Sequence, residues 1–212
     1  MDNINNLIYG FDIFGTIVFA FTGGLKGVQL KFDFLGVIVF SVIVGCGGGM
    51  IRDSLIGATP AAALTNWVYL ALCIVVGIVV FFIGNCIESE RKVIKYSDAI
   101  GLGVFTSIGT AKAILYSCSP IGAVLCGVIT AAGGGIIRDL MSKEIPNILK
   151  SDIYATASLL GGLLYLLLTY CGLSSGKCFF ITSAFVFVLR AIVLKYSLQL
   201  PQSGYKENKH KK

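Results

Sequence analysis

The chain has 212 residues, 56% of them hydrophobic and 13% charged, and a mean hydropathy of +0.85. A soluble domain carries about 25% charged residues, so a water-soluble core of this size is excluded and lipid is the solvent for much of the chain. The formal net charge of +6 does not mark a nucleic-acid partner. The basic residues stand between apolar runs and in the tail Lys206-Glu207-Asn208-Lys209-His210-Lys211-Lys212, where topology signals sit.

The N-terminus does not read as a cleavable signal, because Met1-Asp2-Asn3 carries an acid where a signal peptide carries a basic region. The first apolar run, 7–25, also contains Asp12. Six more runs follow at 34–56, 68–86, 98–117, 120–141, 153–171 and 179–198, each near the ~20 residues that span a bilayer. The second run ends in Gly47-Gly48-Gly49-Met50-Ile51-Arg52-Asp53, and the fifth in Gly133-Gly134-Gly135-Ile136-Ile137-Arg138-Asp139. The most polar interior stretch, Glu88-Ser89-Glu90-Arg91-Lys92, lies between the third and fourth runs. The expected fold is all-α: one membrane domain over 1–212 with seven transmembrane helices.

An internal repeat sets the architecture. Shifting the chain by 86 residues without a gap brings Asp12 onto Asp98, Gly15 onto Gly101, Phe19 onto Phe105, Lys26 onto Lys112 and Pro60 onto Pro146. The two GGGxIRD blocks fall on each other in the same register. Residues 5–86 form the first three-helix repeat and 91–172 the second. Three spans are an odd number, so the second copy enters the membrane from the opposite side, as in many transport proteins. The seventh helix, 178–198, and the basic tail, 199–212, lie outside the repeat.

Seven spans put the termini on opposite sides. The C-terminal side then collects Lys26, Lys31, Arg91, Lys92, Lys95, Arg138, Lys143, Lys150, Lys195, Lys206, Lys209, Lys211 and Lys212, against Arg52, Lys112 and Lys177 on the other. Arg190 lies within the last span. Lys and Arg accumulate on the cytoplasmic side, so the expected orientation is a cytoplasmic C-terminus and an external N-terminus in a cell (inner) membrane. A reporter fused after Lys212 should read cytoplasmic and one before Met1 external; reversed signals would overturn the orientation.

Three consecutive glycines weaken a helix by roughly 1 kcal/mol each relative to Ala. Gly47, Gly48, Gly49, Gly133, Gly134 and Gly135 are therefore candidates for kinks lining a polar path, or for close packing between helices. Arg52 and Arg138 follow the last glycine of each block by three residues, about 5 Å along the axis. A charge at that depth costs at least ~2.5 kcal/mol and needs an acid, a water-filled cavity or a route to the interface. Asp12 is expected at the depth of Arg52 in the outer half, and Asp98 at that of Arg138 in the inner half. Lys26 and Lys112 complete two related charge sets. Asp53 and Asp139 neighbour their arginines in sequence and are expected to point elsewhere, since adjacent helical residues diverge. Asp98 has a further reading as a helix-start acid.

Nothing in the chain reads as an enzyme. GGGxIRD lacks the Lys-Ser/Thr of a phosphate loop, and His210 is the one histidine. The seven cysteines, Cys46, Cys73, Cys86, Cys118, Cys126, Cys171 and Cys178, form no CxxC pair, so no catalytic, cofactor or metal site is expected. They read as buried small hydrophobes, with pairing of Cys171 and Cys178 across their short loop left open.

The pattern Phe11-Asp12-x-x-Gly15-Thr16-x-x-Phe19-Ala20, the paired GGGxxRD blocks and Asp98-Ala99-x-Gly101 resemble the bacterial branch of the trimeric intracellular cation channels, a domain also called a glycine transporter domain. The resemblance covers roughly residues 5–195. It implies seven helices, a homotrimer, and a path for monovalent cations, K⁺ first, within each protomer, lined by kinked second and fifth helices. The lysine- and glutamate-containing pore motif of the animal members is not found here. A secondary transporter of a small solute such as glycine, and a structural membrane protein with a closed interior, are the other readings that the residues allow.

Overall fold

Apolar runs of helical length set the course of the chain. In a computed structural model, which describes residues 2–87, 90–150, 153–196 and 198, every regular element is helical. The elements are α1 (Asp2–Gln29), α2 (Phe34–Leu55), the short α3 (Ala62–Thr65), α4 (Trp67–Ile83) with a 3₁₀ turn at Gly84–Cys86, α5 (Glu90–Leu115), α6 (Pro120–Met141), the short α7 (Asn147–Lys150), α8 (Ala155–Tyr170) and α9 (Ser175–Tyr196).

Six of these are long and apolar enough to cross a membrane: α1, α2, α4 with its 3₁₀ turn, α5, α6 and α9. The expected sixth run is the exception. It forms α8, of 16 residues, about 24 Å long against a hydrocarbon core of ~30 Å. Two helices start earlier than their apolar runs suggest. Because α1 begins at Asp2 and α5 at Glu90, Asp12 and Asp98 lie two or more turns inside their helices. That removes the helix-start reading of Asp98. The linker residues Glu88 and Ser89 and the basic tail 199–212 lie outside the described residues.

The repeat is written into the local backbone. Asp33 caps α2 by accepting from Gly36 N (2.7 Å), and Ser119, its counterpart, caps α6 by accepting from Gly122 N (3.2 Å). The left-handed turn residues also match: Lys31 with Ser117, and Gly57 with Lys143. The polypeptide leaves α1 and α5 by the same turn, with Phe32 N donating to Gly27 O and Cys118 N to Ala113 O, both at 3.0 Å.

The copies meet reciprocally and run antiparallel. A side chain built on Gly15 would strike the Phe105 ring, and one on Gly101 would strike the Phe19 ring. Phe19 and Phe105 themselves stack with centroids 5.2 Å apart. In the same way Gly48 faces the carbonyl of Thr130, and Gly134 the carbonyl of Val44. Contacts that exchange under the 86-residue shift define a pseudo-two-fold axis, and their reversed order along each helix is the geometry of an inverted repeat. The core gathers around this axis, with Phe19, Val44, Phe105 and Ile108 fully buried. Outside the repeat, α9 packs antiparallel to α8, through Val186 on Gly161 and Phe179 on Tyr165.

Candidate functional site

The two GGGxIRD blocks lie in α2 and α6, and helical structure continues through both glycine runs. Nearest the axis, Gly48 and Gly134 bring the two backbones together: a Cβ on Gly134 would stand 2.6 Å from Val44 O, and one on Gly133 3.0 Å from Gly48 Cα. Gly49 and Gly135 face away from this seam, Gly49 toward Arg52 Nη2 and Gly135 toward the Tyr154 hydroxyl, Asp98 and Arg138. The glycines thus form a narrow central contact, and one turn further along each helix sits a buried arginine.

At one end of the axis Arg52, 1% exposed, makes a two-point contact with Asp12, from Nη1 to Oδ1 at 3.1 Å and from Nη2 to Oδ2 at 3.0 Å. Such paired bonds are the strong form of an arginine–carboxylate interaction. Tyr69 Oη donates to Asp12 Oδ2 (3.1 Å). Arg52 Nε also donates to Asp53 Oδ1 (2.8 Å), which receives Lys112 Nζ at 2.7 Å. Asp53 Oδ2 accepts from Ala62 N (2.9 Å).

The other end repeats the plan with changes. Arg138, also 1% exposed, donates from Nη1 to Asp98 Oδ1 (2.8 Å) and to Thr22 Oγ1 (3.2 Å), and from Nε to Asp139 Oδ1 (3.0 Å). Asp139 Oδ2 accepts from Asn147 N (2.8 Å). Lys26, the counterpart of Lys112, pairs instead with Glu144 at 2.8 Å.

The pairs Asp12–Arg52 and Asp98–Arg138 therefore meet, as their shared depth suggests. Asp53 and Asp139 do not point elsewhere. Neighbouring Cβ atoms diverge on a helix, but an arginine places Nε several bonds out, where it curls sideways onto the next residue's carboxylate. Four participants escaped the sequence reading: Glu144, Tyr69, Thr22 and Tyr154. Under the 86-residue shift they face Ala58, Ala155, Ile108 and Val68, so a search for matched residues passes over them. Cys171 and Cys178 are both free thiols. Among the described residues no group of His, Cys, Asp or Glu is arranged to hold a metal ion.

Each cluster opens into a cavity. At the Arg138 end a cavity of about 360 Å³ is lined by Lys26, Arg91, Lys95, Arg138, Asp139 and Glu144, among others. At the Arg52 end a cavity of about 260 Å³ is lined by Asp53, Thr59, Thr65, Lys112 and Tyr116, among others. Two polar vestibules at opposite ends, each floored by charge and separated by a glycine seam, define a multi-pass membrane protein of the inverted-repeat class.

The family described as Glycine transporter matches the chain twice, over residues 9–85 and 95–170. The chain belongs to that family, the bacterial branch of the trimeric intracellular cation channels. Over 197 residues it is 37% identical to a membrane protein of Vibrio cholerae, covering 92% of this chain and 82% of that one. It is 34% identical over 207 residues to the inner membrane protein YadS of Escherichia coli K12, covering 95% of this chain and 99% of YadS. Among solved structures it superposes on the trimeric intracellular cation channel orthologue of Rhodobacter sphaeroides with a TM-score of 0.88 at 33% identity, covering 91% of this chain and 99% of that one. On a prokaryotic channel of the same kind, determined in 0.5 M KCl, the TM-score is 0.86 at 34% identity, covering 92% of this chain and 100% of that one.

Proposed function

We propose that the protein is a channel for monovalent cations, K⁺ first, with a path in each protomer running between α2 and α6 from one vestibule to the other. The observation that carries this reading is the alignment of two polar cavities with the glycine seam between them, in a fold shared with proteins described as cation channels. Passage requires α2 and α6 to part at Gly48 and Gly134. Bare arginines would favour anions. Here Arg52 is neutralised by Asp12 and Asp53, and Arg138 by Asp98 and Asp139, so neither presents unbalanced positive charge to the path.

In this reading α8 is a seventh crossing despite its length. It follows α5 from Tyr154, beside the Asp98 cluster, through Ser158 on Thr106 (2.6 Å), to Gly162 against Thr110. Seven crossings then put the termini on opposite sides, and the Lys and Arg bias assigns the C-terminus to the cytoplasm. The Arg138 vestibule, with Lys26, Arg91 and Lys95 on its walls, becomes the cytoplasmic one.

Recording in a planar bilayer under a KCl gradient tests the function. Unitary currents reversing near the K⁺ equilibrium potential are the expected result. Saturable solute uptake without unitary currents would replace the channel by a carrier, a reading that the inverted repeat and the family's description as Glycine transporter keep in view for a solute such as glycine. We further expect a homotrimer in detergent, as the description of the Rhodobacter relative as trimeric suggests. A monomer or dimer by mass-resolved light scattering would remove that expectation.

A further inference from the structure

The two ends of the repeat differ in one ion pair. At the Arg52 end the repeat lysine, Lys112, rests on the repeat acid, Asp53, at 2.7 Å. At the Arg138 end the corresponding lysine, Lys26, reaches past the corresponding acid, Asp139, to Glu144 at 2.8 Å. Glu144 occupies the position where the other copy has Ala58, and the backbone around both is the same: Ala58 N donates to Asp53 O at 2.8 Å, and Glu144 N to Asp139 O at 2.9 Å. The extra carboxylate is therefore an addition to an otherwise matched loop.

Asp139 keeps the other partners that Asp53 has. Its Oδ1 accepts from the neighbouring arginine and its Oδ2 from the backbone amide that opens the short helix. The lysine alone is displaced. Lys26, Asp139 and Glu144 all line the same cavity. The Glu144 side chain is 47% exposed at its mouth, and that of Asp139 is 6% exposed at its floor.

We propose that Lys26 exchanges between Glu144 at the mouth and Asp139 at the floor, so that the Lys26–Glu144 pair is a latch tying α1 to the α6–α7 loop across the vestibule. The Lys112–Asp53 pair displays, in the other copy, the arrangement that Lys26 takes when it rests on Asp139. The exchange stands on the ion pairs alone. Its effect on conduction rests on the channel reading.

Zero-length cross-linking of the intact, detergent-solubilised protein tests the exchange. A water-soluble carbodiimide joins a lysine amine to a carboxylate in contact with it, and the joined peptides are mapped by mass spectrometry. In the wild type Lys26 should be found joined to both Glu144 and Asp139. In Glu144→Ala, which restores the residue of the other copy, the Lys26–Asp139 product should become dominant. A wild type joined at Glu144 alone, with no Lys26–Asp139 product in Glu144→Ala, would overturn the exchange, the Glu144 product proving that the reagent enters the vestibule. In bilayers, Glu144→Ala should alter open dwell times and Glu144→Asp should keep them. Unaltered dwell times in Glu144→Ala would overturn the latch even where the cross-link has moved. A wild type without unitary currents would remove the channel reading and leave the cross-linking result to stand or fall by itself.

Discussion

Asp12→Asn should cost about 3–5 kcal/mol of stability, the penalty for removing one partner of a buried ion pair and leaving the other desolvated. Arg52 is 1% exposed and Asp12 3%, and the pair is held by two parallel bonds. Arg52→Gln should cost a similar amount, because Asp12 would then keep only Tyr69 among its present donors. The double variant should recover part of the loss, since no orphan charge remains between the two positions. A double-mutant cycle by thermal unfolding in detergent gives the coupling directly. Strictly additive losses would mean that Arg52 draws its stability from Asp53 and that Asp12 is incidental. The matching cycle on Asp98 and Arg138 should give a smaller coupling. Equal burial removes exposure as the reason. The reason is the single hydrogen bond between them, against the two that join Arg52 to Asp12.

Symmetry decided what was legible in the sequence. The repeat, its inversion and the depth of the charged residues followed from one ungapped register, because a residue needed at a symmetric position is kept twice. Asp12 with Arg52 and Asp98 with Arg138 could be paired from depth and offset alone. Residues that act in one copy only leave no such trace. Tyr69 supports Asp12, yet its counterpart is Ala155 in a different helix start. Glu144 takes Lys26 from its repeat partner, yet reads in sequence as one loop acid among several polar neighbours. Side-chain reach was the other limit: backbone geometry separates Arg52 from Asp53, and the length of the arginine side chain reunites them. The extents of α1 and α5 were hidden because polar residues at Asp2–Asn6 and Glu90–Ser97 continue helices whose apolar stretches begin later.

The glycines offer the sharpest separation of packing from path. Gly48 faces the Thr130 carbonyl and Gly134 the Val44 carbonyl, both backbone atoms that cannot rotate aside. Even a methyl group at either position must push α2 from α6. Overpacking of this kind costs about 1–3 kcal/mol, more than the ~1 kcal/mol that alanine returns in helix propensity. Gly48→Ala and Gly134→Ala should therefore be net destabilising, and Gly48→Leu and Gly134→Leu should yield no folded, conducting protein. Gly49 behaves oppositely. The nearest atom to a side chain there is Arg52 Nη2 at 3.6 Å, an ordinary contact, so Gly49→Ala should leave stability unchanged or raise it by up to ~1 kcal/mol. Melting temperatures in detergent for the four alanine and leucine variants and for Gly49→Ala check the sign at each position. Conductance then divides the roles. A path between α2 and α6 runs at the seam, which Gly49 faces away from, so Gly49→Ala should keep unitary conductance as well as folding. Normal folding and normal conductance in Gly48→Leu and Gly134→Leu would make the glycine runs neither the lining of a path nor the contact that sets its width.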